Sequence, residues 1–172
     1  IGAEVDFLGE WEVRGPNGEK ETVILRGQVD IVEVSAGNGL YIADLKTTSK
    51  VPNPEESVQH LQLALYQVAA QKGLLENLLE ELPHPSADIS SEGAEIVALR
   101  DRALAGKGPA KRGLQPAIDI SQDEITFIES AMYQASRNVR QEDFQPRIGD
   151  SCKYCPAKSS CPIQPEGKPV IS

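Results

Sequence analysis

Residues 22–47 read TVILRGQVDIVEVSAGNGLYIADLKT, and the reading of this stretch decides the fold. Residues 22–34 and 40–47 are rich in β-branched and apolar side chains, the composition of strands. Between them Ala36-Gly37-Asn38-Gly39 is small and polar, the composition of a turn. Two strands joined by so short a connection must run antiparallel. Working outward, VDFLGEWEV at 5–13 is a further strand, divided from the second by the turn Gly15-Pro16-Asn17-Gly18. Together the three segments predict an antiparallel meander.

Downstream, Pro52, Asn53 and Pro54 break the sheet, and Asn53 ahead of Pro54 is a helix start. Val58, Leu61, Leu65, Val68 and Ala69 fall on one helical face, which predicts a single helix over 54–72. A short continuation, LLENLLEEL, ends at Pro83. Residues 94–100 read as another strand. Residues 101–116 hold three Gly, two Pro and the basic group Lys107, Lys111 and Arg112, and read as a mobile loop. Ser121 followed by Glu124 is a capping box for a helix over 122–141. From Phe144 the chain is irregular and rich in Pro and Cys. These elements predict an α/β core, a mixed sheet opened by the meander with flanking helices, over residues 1–150, and a cysteine-containing tail over 151–172.

The chain has 172 residues, enough for one domain with a substantial core. Its 40% hydrophobic and 25% charged residues are those of a soluble globular protein. No apolar run approaches a membrane span and no secretory signal opens the chain, so no membrane role and a cytoplasmic location are expected. A first residue Ile1 in place of Met reads as a processed chain or a fragment of something longer. The net charge of −9 argues against broad electrostatic adhesion to nucleic acid, though not against local contact through a metal and a few cations. The three cysteines, Cys152, Cys155 and Cys161, are odd in number and clustered, a poor disulfide framework and a better metal or cluster half-site.

The chemistry lies in the opening stretch. Asp44 and Lys46 are two apart on a strand and share a face. A hairpin symmetric about Gly37 sets Asp30, seven residues before it, opposite Asp44, seven after. Directly opposed residues have Cβ atoms ~4.5–5.5 Å apart, where like charges destabilise the sheet unless a cation lies between them. A divalent metal and Lys46 would be such cations. Carboxylates are the hard ligands Mg²⁺ takes, and the bound ion acidifies a water and steadies charge developing on a phosphodiester. Lys46 would position or activate the attacking water and help neutralise the phosphoryl group. Acidic residues on hairpins are ordinarily solvated, but Asp44 and Asp30 interrupt the apolar runs Leu40–Leu45 and Val29–Val32, where an unpartnered carboxylate is costly.

These residues carry a resemblance. Gly27-Gln28-Val29-Asp30, then Asp44-Leu45-Lys46-Thr47, then Gln62-Leu63-Ala64-Leu65-Tyr66 resembles the G-x-x-D, D-x-K-T and Q-x-x-x-Y pattern of the RecB-type branch of the PD-(D/E)XK nucleases. Cys152-Lys153-Tyr154-Cys155-Pro156 through Cys161-Pro162 is similar to that branch's C-x-x-C-x5-C segment. The resemblance implies a restriction-endonuclease-like core. It implies that Asp30, Asp44 and the Leu45 carbonyl bind Mg²⁺ or Mn²⁺, that Lys46 is the catalytic lysine, and that Gln62 and Tyr66, on one helix face, contact DNA or orient the lysine. It also implies three ligands of a [4Fe–4S] cluster, the fourth being an upstream cysteine that these 172 residues do not contain; zinc binding with a histidine and free thiols remain alternatives. Many relatives carry a metal-binding His upstream of the first strand, whereas His60 and His84 both follow Asp44. The implied function is the DNA exonuclease module of a helicase–nuclease in double-strand break repair and recombination. Its partners would be single-stranded DNA, a helicase domain of the same chain and a partner helicase–nuclease subunit. Lys50, Lys107, Lys111 and Arg112 would contact the DNA backbone, or else are solvated loop charges. The alternative is a degenerate nuclease fold that binds DNA or acts as a scaffold, and a third reading is a zinc-stabilised interaction domain.

Overall fold

The hairpin centred on residue 37 is the spine of the molecule. The computed structural model describes residues 2–36, 39–75, 89–100, 110–120, 126–165 and 167. Strands β1 (Gly2–Arg14), β2 (Lys20–Val34) and β3 (Gly39–Lys46) form the meander, with Gly18 N donating to Gly15 O at 3.0 Å in the first turn. Strand β4 (Ser90–Ala98) pairs with β3 in parallel, and β5 (Lys111–Gln115) pairs with β4 antiparallel. The sheet order is β1-β2-β3-β4-β5, so the fold is a mixed α/β sheet with flanking helices. A parallel β3–β4 pair requires a crossover. Helices α1 (Pro54–Val58) and α2 (Leu61–Gln71) lie on that crossover.

Two expectations are corrected. The helix predicted over 54–72 is broken at Gln59 and His60. Its start at Asn53 is a capping box, with Glu56 N donating to Asn53 Oδ1 at 2.9 Å and Asn53 N to Glu56 Oε2 at 3.0 Å. The break, an elbow between α1 and α2, needs neither Gly nor Pro: the Gln115 amide on β5 lies against the carbonyls of Ser57 (2.9 Å), Val58 (3.1 Å) and His60 (3.1 Å), while Ser57 O also accepts from His60 N and His60 O accepts the first bond of α2 from Ala64 N. Likewise, the loop predicted over 101–116 ends in a strand, because the free edge of β4 captures residues 111–115. The predicted continuation beyond Leu75, the capping box at Ser121 and Glu124, and His84 and Lys107 lie outside the described residues.

Buried positions on β2 run Leu25, Val29, then Val32, a step of three in place of the strand's two. The matching irregularity on β1 is Glu4, whose φ of 52° is left-handed. Glu4 and Asp30 form the position missing from the ladder between Ala3↔Ile31 and Val5↔Val29. The pleat therefore changes phase at Asp30. Val29 and Val32 both reach the core there, each fully buried.

The core joins the sheet to α2 through Leu40, Ile42 and Ile96 against Leu63, Val68 and Ala69. Tyr66 meets Phe7 edge to face, with ring centroids 6.0 Å apart. Helix α3 (Phe127–Arg140) begins beside Thr126, whose hydroxyl accepts from Glu129 N at 3.2 Å. The Glu129 carboxylate holds Arg14 by its backbone N–H (2.9 Å), Nε (2.9 Å) and a terminal guanidinium nitrogen (3.1 Å). A Cβ at Gly15 would overlap the Tyr133 ring, so only glycine lets the turn approach α3. The chain divides into two compact units, Ile1–Ser136 and Arg137–Ser172, a division inside α3 and ahead of residue 150. The second unit carries 3₁₀ turns at Asp150–Tyr154 and Lys158–Ser160. Among the described residues no helix is long and apolar enough to cross a membrane.

Candidate active site

Strand alternation turns Asp44 to the α2 side of β3, where it is 1% exposed. A buried carboxylate must be compensated. Lys46, two residues on, donates to Asp44 Oδ1 at 3.1 Å, and its Nζ stands 2.7 Å from Oδ2. The α2 side supplies Gln62, whose Nε2 donates to Asp44 Oδ1 at 3.0 Å and to the Tyr66 hydroxyl at 2.7 Å. Both amide hydrogens are thereby used, one turn of α2 spanning the two acceptors. The Lys46 contact to Oδ2 is an ion pair without hydrogen-bond direction. Oδ2 is thus buried with no hydrogen bond of its own.

The hairpin register pairs Ile31 with Ala43 and Val32 with Ile42. Extended one step, it sets Asp30 opposite Asp44, but the ladder stops there. In its place the Asp30 side chain crosses to β3, and Leu45 N donates to Asp30 Oδ2 at 2.7 Å. In an antiparallel ladder the N–H and C=O of one residue leave the strand by the same edge. The Leu45 carbonyl therefore leaves on the Asp30 side.

Burial works against the Lys46 ammonium, but its hydrogen bond to Asp44 and the charges of Asp44, Tyr66 and Asp30 outweigh it and hold its pKa above the ordinary value. Lys46 is therefore a cation at neutral pH, with its side chain 37% exposed toward solvent. Burial raises the Tyr66 phenol; Asp44 and Asp30 add to that, while Gln62 and Lys46 oppose it. Tyr66 stays neutral, a fixed hydroxyl rather than an anion.

A divalent cation fits part of this donor set: two carboxylates from neighbouring strands, a buried oxygen without a hydrogen bond, and a backbone carbonyl on the same edge. Among the described residues no group of three His, Cys, Asp or Glu side chains converges to hold a metal. That statement covers the tail as well. Cys152, Cys155 and Cys161 are free thiols. Cys152 Sγ accepts from Gly149 N at 3.4 Å and faces Arg147 O at 3.8 Å, contacts of its own turn. The three thiols therefore do not converge as a cluster would require, and the Cys152 thiol is turned to local backbone.

The expected DNA-contacting cations divide. Lys50 is exposed on the loop after β3, and Lys111 Nζ reaches Ser49 O on that loop at 3.5 Å. Arg112 lies elsewhere. It forms an ion pair with the buried Glu95, which pairs with Ala43 and so sits on the sheet face opposite to Asp44. The hydrogen bond to Glu95, above all, raises the Arg112 pKa, and Tyr41 joins the same cluster. Arg112 serves a rivet across β3, β4 and β5. Gln115, which sets the α1–α2 break and thereby aims Gln62, escaped the sequence reading, since nothing in its spacing marks it as buried.

A buried Asp and a Lys two residues apart on a central strand, with a second Asp on the next strand, form a D…D-x-K arrangement. Residues 1–162 match the PD-(D/E)XK nuclease superfamily, and the chain belongs to it. No curated protein sequence matches the chain. Among solved structures, the crystal structure of SSO0001 is similar, with 16% identity and a TM-score of 0.48 over 95% of this chain and 61% of that one. The chain thus spans about three fifths of that protein's length. Members of this superfamily hydrolyse phosphodiesters, typically with Mg²⁺ or Mn²⁺.

Proposed function

We propose that the chain is the exonuclease module of a RecB-like helicase–nuclease. It would cleave single-stranded DNA in double-strand break repair and recombination, in the cytoplasm, with a helicase domain in the same protein and a helicase–nuclease subunit as partner. The observation that carries the chemistry is the buried Asp44 carboxylate. Its Oδ1 accepts from Lys46 and Gln62, and its Oδ2, without a hydrogen bond, is 2.7 Å from the Lys46 ammonium, beside Asp30 at the break in the ladder.

In this reading Asp30, Asp44 and the Leu45 carbonyl hold Mg²⁺. The bound ion would supply an acidified water and charge neutralisation at the phosphate. The chain's own residues do the rest. Gln62 and Lys46 fix the Asp44 carboxylate, Gln62 on Oδ1 and the Lys46 ammonium beside both oxygens. Lys46, half open to solvent, orients the attacking water and places positive charge against the phosphoryl oxygens. Tyr66 holds Gln62 in place. Lys50 and Lys111 take neighbouring phosphates, a role for which Arg112 is already engaged by Glu95.

The test is Mg²⁺-dependent degradation of a labelled single strand by the wild-type chain and by Asp44→Asn and Lys46→Ala. Both variants should lose cleavage by at least about a hundredfold; Asp44→Asn should melt within a few degrees of wild type, whereas Lys46→Ala should melt lower, because it leaves the buried Asp44 charge without its cation. Cleavage surviving both changes refutes the assignment. A second reading, a fold that binds DNA without cutting it, is favoured because no third His, Cys, Asp or Glu joins Asp30 and Asp44 among the described residues. It predicts DNA binding without hydrolysis at any Mg²⁺ or Mn²⁺ concentration.

A further inference from the structure

The outer face of the β1–β2 hairpin is open to solvent. Along both strands the side chains alternate, and Phe7 and Trp11 are buried on the inner face, where Phe7 packs on Tyr66 of α2. On the outer face the register pairs Leu8 with Arg26 and Glu10 with Ile24, flanked by Asp6 with Gln28 and by Glu12 with Thr22. All eight are exposed. An antiparallel sheet that faces water ordinarily carries polar side chains there. This face carries Leu8, 57% exposed, and Ile24, 71% exposed. They belong to successive outward-facing pairs, so they are diagonal neighbours and form one apolar patch. The charges around it are sorted by strand: Asp6, Glu10 and Glu12 on β1, Lys20 and Arg26 on β2. Toward the two ends they are satisfied locally, with Gln28 donating to Asp6 at 3.0 Å and Lys20 pairing with Glu12 at 2.7 Å. In the centre Glu10 and Arg26 occupy the other diagonal, and among the described residues neither is in an ion pair.

We infer that this face docks a second copy of the same chain in a two-fold contact. The pattern is self-complementary. A two-fold axis along the Leu8–Ile24 diagonal sets Leu8 against its own counterpart and Ile24 against its own. It also sets Glu10 of each chain opposite Arg26 of the other. An axis along or across the strands would put each aliphatic side chain on a charge, and one along the other diagonal would oppose like charges. Strands lie about 4.8 Å apart and two residues rise about 6.8 Å, so the diagonal runs about 35° from the strands and the two hairpins cross at about 70°. That crossing belongs to orthogonal sheet packing. A two-fold contact closes on itself, giving a dimer rather than a chain of copies. The face is far smaller than the roughly 20–30 residues per side of a standard interface, so the dimer is weak, with a dissociation constant on the order of 10–100 µM. Three carboxylates on β1 repel a phosphate backbone, which sets nucleic acid aside as the occupant. Asp44 and α2 lie on the opposite face of the sheet, so both candidate sites stay open.

The test is sedimentation velocity of the full chain from about 10 to 500 µM, with a reductant so that Cys152, Cys155 and Cys161 form no cross-link. Wild type should pass from monomer to dimer across this range. Glu10→Arg turns both intermolecular pairs into arginine pairs, and Arg26→Glu turns both into carboxylate pairs. Each should weaken self-association at least about tenfold. An equimolar mixture of the two variants should associate as wild type does, because each chain then meets its opposite charge. The chain carrying both reversals should do the same. Ile24→Ser should weaken association with the charge pattern intact. All three positions are exposed, so each variant should melt within a few degrees of wild type. A wild-type chain that stays monomeric throughout overturns the inference and assigns the face to a different partner. A dimer that the single reversals leave unchanged also overturns it, as does a loss that neither the mixture nor the double reversal restores.

Discussion

Asp30 combines two roles that a single pair of substitutions separates. Its Oδ2 accepts the Leu45 amide at 2.7 Å, replacing a ladder bond, and the same carboxylate is half of the proposed metal site. In Asp30→Asn the side-chain carbonyl can still accept from Leu45. A hydrogen bond to a charged acceptor is worth about 1.5–3 kcal/mol and a neutral one about 0.5–1.5, so the exchange costs about 1 kcal/mol. Relief of the like charge opposite Asp44 offsets part of that. Asp30→Asn should therefore melt within about 4 °C of wild type. Asp30→Ala removes the acceptor and strands the amide, a loss of about 2 kcal/mol and about 4–8 °C. Metal linkage, by contrast, treats the two variants alike. Mg²⁺ at ten times its Kd stabilises the folded wild type by about 1.4 kcal/mol, raising the melting temperature by about 3–6 °C. Neither variant should show that rise, and both should lose cleavage. Thermal melts with and without Mg²⁺, run beside the cleavage assay, read all of these quantities. If Asp30→Asn is as unstable as Asp30→Ala, or if it keeps the Mg²⁺-dependent rise, the two-role account of Asp30 is wrong.

The remaining expectations concern the supports of the site. Gln115→Leu deletes the donor to three elbow carbonyls and should cost about 3 kcal/mol by chemical denaturation; it should also lower cleavage, because Gln62 is no longer aimed at Asp44, and wild-type activity in this variant would show that the elbow does not position the site. For Glu129, burial raises the pKa, but the three bonds from Arg14 and the charge of Lys72 outweigh it and leave the carboxyl below its ordinary value. The folded pKa is thus depressed, and the pair's contribution is complete above the ordinary glutamate range and lost as pH falls through the lowered value. Glu129→Gln should accordingly be less stable than wild type at neutral pH, with the difference shrinking in acid; a constant difference across pH would assign the loss to packing rather than charge.

Much of the site was legible in the sequence because its logic is local. The apolar, β-branched composition of residues 22–34 and 40–47 and the turn at 36–39 mark a hairpin whose symmetry points Asp30 toward Asp44, and the two-residue spacing puts Lys46 on the Asp44 face. Gln62 and Tyr66, four apart, were bound to share a helix face. The capping box at Asn53 is likewise a matter of a few adjacent residues. Tertiary structure alone decided the rest. Nothing near residue 59 announces a helix break, since the donor that causes it is Gln115, far along the chain. Residues 111–115, without β-branched side chains, form a strand only because β4 offers an unpaired edge, and that pairing carries Arg112 to Glu95 on the far face of the sheet. The phase change at Asp30 depends on Glu4 across the ladder, not on Asp30's own neighbours. Periodicity and turn chemistry act over a few residues and can be read directly. Burial, and the partner that compensates each buried polar group, are set by contacts distant in sequence, so Asp44 could be recognised as costly from its strand, while the Gln62 that holds it, aimed by Gln115, emerged only when the chain was folded.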